Sequence, residues 1–263
     1  MFLILPTLYL VVGAFQNDRG EFTIENILEL SHPSILAAYW ISIKISLASS
    51  IFGALVGLII AVAVVRGGLP NWVRAATVTF SGVASNFAGI PLAFAFLATL
   101  GRLGLVTVLL KEFFGIDIYS LGFNILSFWG LTVTYLYFQI PLMVVIIAPE
   151  VDGLKREWGE AAATLGASQS QYWWMVALPV LWPNFLGTCI LLFANAFGAI
   201  ATAYALTGSS LNIVPILLYA QIRGDVLHNP HLGYALAFGM IVITGLANVF
   251  YIWFRSRSER WLR

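Results

Sequence analysis

Apolar residues gather into long runs separated by shorter polar gaps, and six runs approach the length of a membrane crossing: 1–15, 35–65, 75–100, 125–149, 184–206 and 233–254. A crossing takes about 20 apolar residues, so the pattern predicts an all-α integral membrane protein, one transmembrane domain over 1–263 with six spans. The first run reaches only about 22 Å at 1.5 Å per residue, against a hydrocarbon layer of about 30 Å. It is therefore expected either to be completed by residues before Met1 or to start inside the bilayer. The rival reading is a signal peptide cleaved near Val12-Gly13-Ala14, but the basic segment that opens such a peptide is absent. Composition points the same way: 60% of the residues are hydrophobic and 10% charged, which one water-soluble core could not cover.

Charge then orients the spans, because Lys and Arg concentrate in cytoplasmic loops. Segments 66–74, 150–183 and 255–263 hold Arg66, Arg74, Lys155, Arg156, Arg255, Arg257, Arg260 and Arg263, whereas the opposite segments hold only Arg19, Arg102, Lys111 and Arg223. The first set is expected in the cytoplasm, together with both termini. Lys44, inside the second run, is expected to snorkel to the outer interface. Leu103, Val106, Leu110, Phe113 and Phe114 share one face of a short helix expected to lie flat in that interface, opposite Arg102, Thr107 and Lys111. A net charge of +1 gives no field to draw nucleic acid, and the lone Cys189 excludes an intrachain disulfide.

The segment 150–183 carries two helical patterns around a glycine. Leu154, Trp158, Ala161 and Leu165 recur on one helical face, Asp152 stands where it could cap the start, and Gly166 follows the last turn, where glycine takes a left-handed conformation without penalty. Ser168 and Gln171 have the spacing of a capping box, opening a second helix through Tyr172, Trp173, Trp174 and Met175 to Leu178-Pro179. The expectation is a cytoplasmic helix-turn-helix between spans four and five.

Glu160-Ala161-Ala162, Gly166 six residues after the glutamate, and Leu178-Pro179 beyond it resemble the EAA loop of type I ABC importer permeases. The likeness extends to Ser42–Leu47 and to Pro91, Gly104 and Gly115, and so covers most of the chain. It implies the permease subunit of a prokaryotic importer, multi-pass in the plasma (inner) membrane. Its implied partners are a second permease, identical or homologous, two ATPase subunits that hold ATP and magnesium, and an external substrate-binding protein. In that family the loop couples the ATPase to the spans. The coupling residues would be Glu160, Ala161, Ala162, Gly166, Ser168, Tyr172 and Trp173, with Glu160 meeting a basic group and Tyr172 and Trp173 acting as apolar anchors. No G-x-x-x-x-G-K-[ST] sequence is present to cradle phosphates, so the chain is expected to hydrolyse nothing and to bind no cofactor itself. The pattern is closest to permeases for polyamines, aminophosphonates, ferric iron, thiamine, sulfate and molybdate. These ions differ in sign, which leaves specificity to the binding protein.

Polar and helix-breaking residues stand inside three spans: Ser85, Asn86, Gly89 and Pro91; Gln139 and Pro141; Asn195, Gly198 and Thr202. An unpaired polar group in hydrocarbon costs several kcal/mol, so these residues either line a wet path or bond between helices. Ser85, Asn86, Gln139, Asn195 and Thr202 are the candidate path, and Pro91 and Pro141 are expected to free the carbonyls of Phe87 and Tyr137. The alternative function, a secondary transporter or channel subunit, would call for intramembrane ionisable groups, and apart from Lys44 the span centres lack them. Gly53 and Gly57 have the spacing of close helix contacts. His228 and His231 flank Asn229-Pro230, a segment too irregular to favour joint metal ligation.

Overall fold

The computed structural model describes residues 4–17, 19–208, 210–223 and 229–258. Among the described residues all regular elements are helical, beside one isolated bridge between Gln16 and Phe22. In chain order they are α1 (Ile4–Ala14), α2 (Glu25–Glu29), α3 (Pro33–Arg66), α4 (Asn71–Ala84), α5 (Ile90–Leu100), α6 (Leu105–Phe114) and α7 (Phe128–Asp152). After these come α8 (Arg156–Thr164), α9 (Gln169–Tyr172), a π-helical turn (Trp173–Ala177), α10 (Leu178–Phe197), α11 (Ile200–Thr207), α12 (Val214–Arg223) and α13 (Pro230–Ser258). Among the described residues five stretches are long and apolar enough to cross a bilayer: Pro33–Arg66, Ile90–Phe114, Phe128–Asp152, Gln169–Phe197 and Pro230–Trp253, with Ile4–Ala14 a shorter apolar helix.

Two expected spans are broken. The run 75–100 divides between α4 and α5 at Ser85–Gly89, where Gly89 takes φ +77°, and the run 184–206 divides between α10 and α11 at Gly198-Ala199. Pro91 therefore sits in the first turn of α5, where its missing N–H has no helical partner to lose. Phe87 precedes that helix and loses no bond within it, whereas Pro141 does lie inside α7. Nor does a helix end at Leu178-Pro179: the chain continues helically from Gln169 through the π turn to Phe197.

The chain forms two compact units, the first drawn from 1–47, 88–134 and 197–247, the second from 48–87, 135–196 and 248–263. In the first, Gly13 lies against the Tyr234 ring, and Gly13 and Ala14 are buried. The Tyr39 hydroxyl donates to the Leu236 carbonyl at 2.6 Å, and the Val214 N–H donates to Ser42 Oγ at 2.9 Å. On α6 and the residues before it, Thr107 faces inward while Leu103, Phe113 and Phe114 of the expected apolar face are exposed, so that face is turned largely away from the protein. Lys44 is exposed, its ammonium 5.5 Å from the centre of the Trp40 ring. His231 Nδ1 lies 3.2 Å from the Gly13 carbonyl, and His228 lies outside the described residues.

In the second unit the core gathers Ala54, Ala61, Met143, Ile147, Leu181 and Leu192. Gly53 and Gly57 face Gln139 and Met143, so the small-residue spacing serves a contact between α3 and α7 within this chain.

Candidate functional site

The segment that joins α7 to α10 lies wholly in the second unit. Its helix α8 forms from Glu160-Ala161-Ala162-Ala163, residues of high helix propensity. The last turn closes as a Schellman motif: the Ala167 N–H donates to the Ala162 carbonyl and the Gly166 N–H to the Ala163 carbonyl, both at 2.9 Å. Gly166 takes φ +79°, the left-handed region that favours glycine. The capping box follows. Ser168 Oγ accepts from the Gln171 N–H at 3.3 Å, and Gln171 Oε1 accepts from the Ser168 N–H at 2.7 Å. Both ends of the turn are thus fixed by local hydrogen bonds.

Burial divides the expected coupling residues. No residue of α8 is fully buried; Gly159 and Ala162 are half-buried, Gly159 facing the Tyr172 ring and Ala162 packing on the core, whereas Glu160 and Ala161 are exposed. Of the expected apolar face only Leu154 is buried; Trp158 is 37% exposed and Leu165 88%. Tyr172 is itself buried and Trp173 half-buried, so Tyr172 anchors α9 to this chain's own core and offers little surface to another protein. Asp152 does not cap α8, whose N-cap is Lys155; it pairs instead with Arg74 at 3.1 Å.

Arg66 was legible in the sequence only as an orienting charge. Its guanidinium donates to the Val151 carbonyl, Nε at 3.2 Å and Nη2 at 3.0 Å, and Nη2 also donates to the Leu154 carbonyl. These carbonyls end α7 and open the joint to α8. Beside the joint lies a cavity of about 580 Å³ whose walls include Arg66, Arg156, Glu160, Gln169 and Trp173.

The candidate path residues do not share one environment. Gln139 is fully buried on α7; its Nε2 donates to the Leu192 carbonyl at 2.9 Å, and its Oε1 has no partner among the described residues. Asn86 and Asn195 are exposed, Asn86 donating to the Gly82 carbonyl at 2.9 Å, and Ser85 Oγ donates to the same carbonyl at 3.0 Å. Thr202, in the other unit, is buried and accepts from the Gly89 N–H at 2.7 Å, holding the start of α5 against α11. Thr202 thus satisfies a backbone group freed by the break, as hydrocarbon surroundings require.

Long apolar helices, with two of the expected spans interrupted beside Gly89 and Gly198 and an exposed helix between two spans, make a multi-pass helical membrane architecture. Residues 53–263 match the family described as binding-protein-dependent transport system inner membrane component, and the chain belongs to that family. It is 27% identical over 222 residues to the molybdenum transport system permease protein ModB of Mycobacterium tuberculosis, covering 82% of this chain and 78% of that one. It is 24% identical over 231 residues to the spermidine/putrescine permease PotC of Escherichia coli, covering 86% and 80%. The sulfate permease CysT of Synechococcus elongatus is 26% identical over 222 residues, covering 82% and 76%.

Its fold is similar to that of a bacterial ABC transporter involved in alginate import, with TM-score 0.78 and 14% identity over 98% of this chain and 90% of that one. A bacterial alginate ABC transporter in complex with an alginate pentasaccharide-bound periplasmic protein gives TM-score 0.71, at 16% identity over 100% of this chain and 90% of that one. The MetNI methionine ABC transporter gives 0.59, at 15% identity over 85% and 95%. The chain is an inner-membrane permease subunit of an ABC importer, which sets aside a secondary transporter or channel.

Proposed function

We propose that α8 is the helix through which a separate ATPase subunit drives this permease. The strip Trp158, Ala161 and Leu165 carries the reading: these residues recur on one face of α8 and its C-cap, and this chain leaves Leu165 almost wholly uncovered, Ala161 exposed and about a third of Trp158 uncovered. A short helix gains little stability alone, and covering Leu165 would contribute about 1.5–3 kcal/mol. Glu160, also exposed, is placed to meet a basic group of the ATPase. Ala161 keeps the contact role expected of it and Leu165 joins it, whereas Ala162 and Tyr172, for which the resemblance implies contact roles, pack against this chain's own core.

Around this element we infer the full assembly. A second permease, identical or homologous, completes the path, and two ATPase subunits bind the ATP and magnesium. An external binding protein delivers a small solute and sets specificity; the permeases named above serve molybdenum, polyamines and sulfate. The chain acts as one transmembrane domain of six crossings, α1 supplying the sixth. Segments 66–74 and 150–183 and both termini face the cytoplasm, in keeping with the Lys and Arg asymmetry. Arg255 and Arg257 have undescribed side chains, and Arg260 and Arg263 lie outside the described residues.

Leu165→Asp tests the docking strip, because a carboxylate in the ATPase cleft would be buried without a partner. The variant permease should insert normally but no longer copurify with its ATPase. Undiminished copurification would overturn the assignment.

A further inference from the structure

We propose that Arg66 and Arg74 form a clamp that carries the displacement of α8 into α3 and α4, making the turn between those helices a transmission element. The proposal rests on the reading of α8 as the ATPase-docking helix. It begins from how loosely α8 is held: no buried residue, and open volume beside it bounded by Arg66, Arg156 and Glu160. A push on such a helix reaches the spans through its covalent joint to α7 and through α9.

The joint to α7 is gripped by two arginines from outside it. The last carbonyls of α7 have no partner within the helix, and the Arg66 fork takes the Val151 carbonyl twice and the Leu154 carbonyl once. A cation there also suits the negative end of the α7 dipole. A lysine could not repeat the arrangement, since its ammonium is a point charge on a flexible stem. Arg74 on α4 grips the same end of α7 through Asp152 at 3.1 Å. Between the two arginines the chain turns through Gly67, Gly68 at φ +69°, Leu69 and Pro70.

Any motion of Leu154 therefore displaces the acceptors of Arg66, and any motion of Asp152 displaces the partner of Arg74. Arg66 is the last residue of α3. α4, which Arg74 begins to move, ends at Ala84, directly before Ser85 and Asn86 at the break in the span. The clamp thus joins the docking helix to a broken helix bearing candidate path residues, within one compact unit.

The test uses the permease purified with its ATPase, in a Cys189→Ala background. Nitroxide labels are placed singly at Thr164→Cys on α8 and Val83→Cys on α4, and spectra are recorded before and after ATP, magnesium and vanadate are added. In the wild-type complex both labels should respond. In Arg66→Gln the α8 label should still respond, while the α4 response falls about tenfold, the equivalent of one charge-assisted hydrogen bond in a two-state element. Arg74→Gln removes a solvent-exposed pair that contributes little to stability, so it should fold even if Arg66→Gln does not, and its α4 response should fall by up to about fivefold, the limit for a pair of that strength. Full α4 responses in the folded variants would overturn the clamp. A silent α8 label in the wild-type complex would overturn the docking reading instead, and the clamp with it.

Discussion

A methyl group on Gly53 would stand 2.7 Å from the Gln139 Cβ; four residues on, one on Gly57 would stand 2.5 Å from the Met143 Cβ and 2.9 Å from the Ile140 carbonyl oxygen. The approach of α3 to α7 thus depends on two missing side chains. Gly57→Ala must push the helices apart or strain Met143, and overpacking of this kind costs about 1–3 kcal/mol. The thermal midpoint of the detergent-solubilised permease should fall. An unchanged midpoint would mean that the contact yields without strain.

The two alanines of α8 at 161 and 162 should behave differently. Ala161 is exposed and Ala162 packs against the core, so Ala161→Asp should release the ATPase from a permease of normal stability. Ala162→Asp should lower the stability of the permease itself by about 1–3 kcal/mol, as burial of an unpaired polar group does. Gly166→Val strains a left-handed turn at φ +79°, costing about 1–2 kcal/mol, and should reduce uptake by displacing α9 from α8. Equal stability of the Ala161 and Ala162 variants would contradict the inward and outward faces assigned here.

Local chemistry was the most legible part of the sequence. The Ser168–Gln171 box and the Gly166 turn are decided within a few residues, so their spacing in sequence is their geometry in space. The breaks at Gly89 and Gly198 were visible as residues but hidden as interruptions, because an apolar run continues across them and hydropathy averages over the gap. Periodicity grouped Trp158, Ala161 and Leu165 on one face but could not say whether this chain or another covers it. Tyr172 inverts that case: an aromatic beside a docking loop turned out to face its own core. Asp152 and Arg74 lie 78 positions apart in sequence, so their pairing carried no local signature.

Asp117 gives the loop after α6 a pH dependence. Its carboxylate accepts from the Ser120 N–H at 3.3 Å and the Tyr119 N–H at 3.0 Å and lies 3.3 Å from the Lys111 ammonium. The Ser120 bond first, then Lys111, hold its carboxyl below the ordinary value. A depressed carboxyl stabilises the loop above its ordinary value, and that contribution disappears as pH falls through the depressed one. Amide exchange at Ser120 and Tyr119, corrected for its intrinsic rate, should accelerate in that acid window. Asp117→Asn should abolish the dependence, and an acid response that survives it would assign the effect to another group.

Topology can be read with single cysteines in a Cys189→Ala background. Ser120, Ser168 and Ser256 are all exposed, so reactivity reports which side each lies on; Ser209, a natural fourth position in a segment proposed to lie outside, lies outside the described residues. A cysteine at Ser120 should react with an impermeant thiol reagent added outside intact cells. Cysteines at Ser168 and Ser256 should react only after the membrane is opened. The opposite pattern would reverse the orientation proposed from the charge asymmetry.

The candidate path residues separate by burial, and replacing each with leucine should reveal it. Asn86 and Asn195 are exposed, so Asn86→Leu and Asn195→Leu should leave thermal stability near wild type while lowering uptake of the solute carried by the cognate binding protein, if their amides face water in the path. Gln139→Leu is different in kind. It removes the bond to the Leu192 carbonyl, worth about 0.6 kcal/mol between membrane helices, but it also removes the buried Oε1 that has no partner among the described residues. The two changes oppose each other, and the net shift should stay within about 1 kcal/mol. A Gln139→Leu permease of normal stability and assembly but without uptake would mean that Oε1 meets the solute or its water during transport. Wild-type uptake in all three variants would remove these residues from the path.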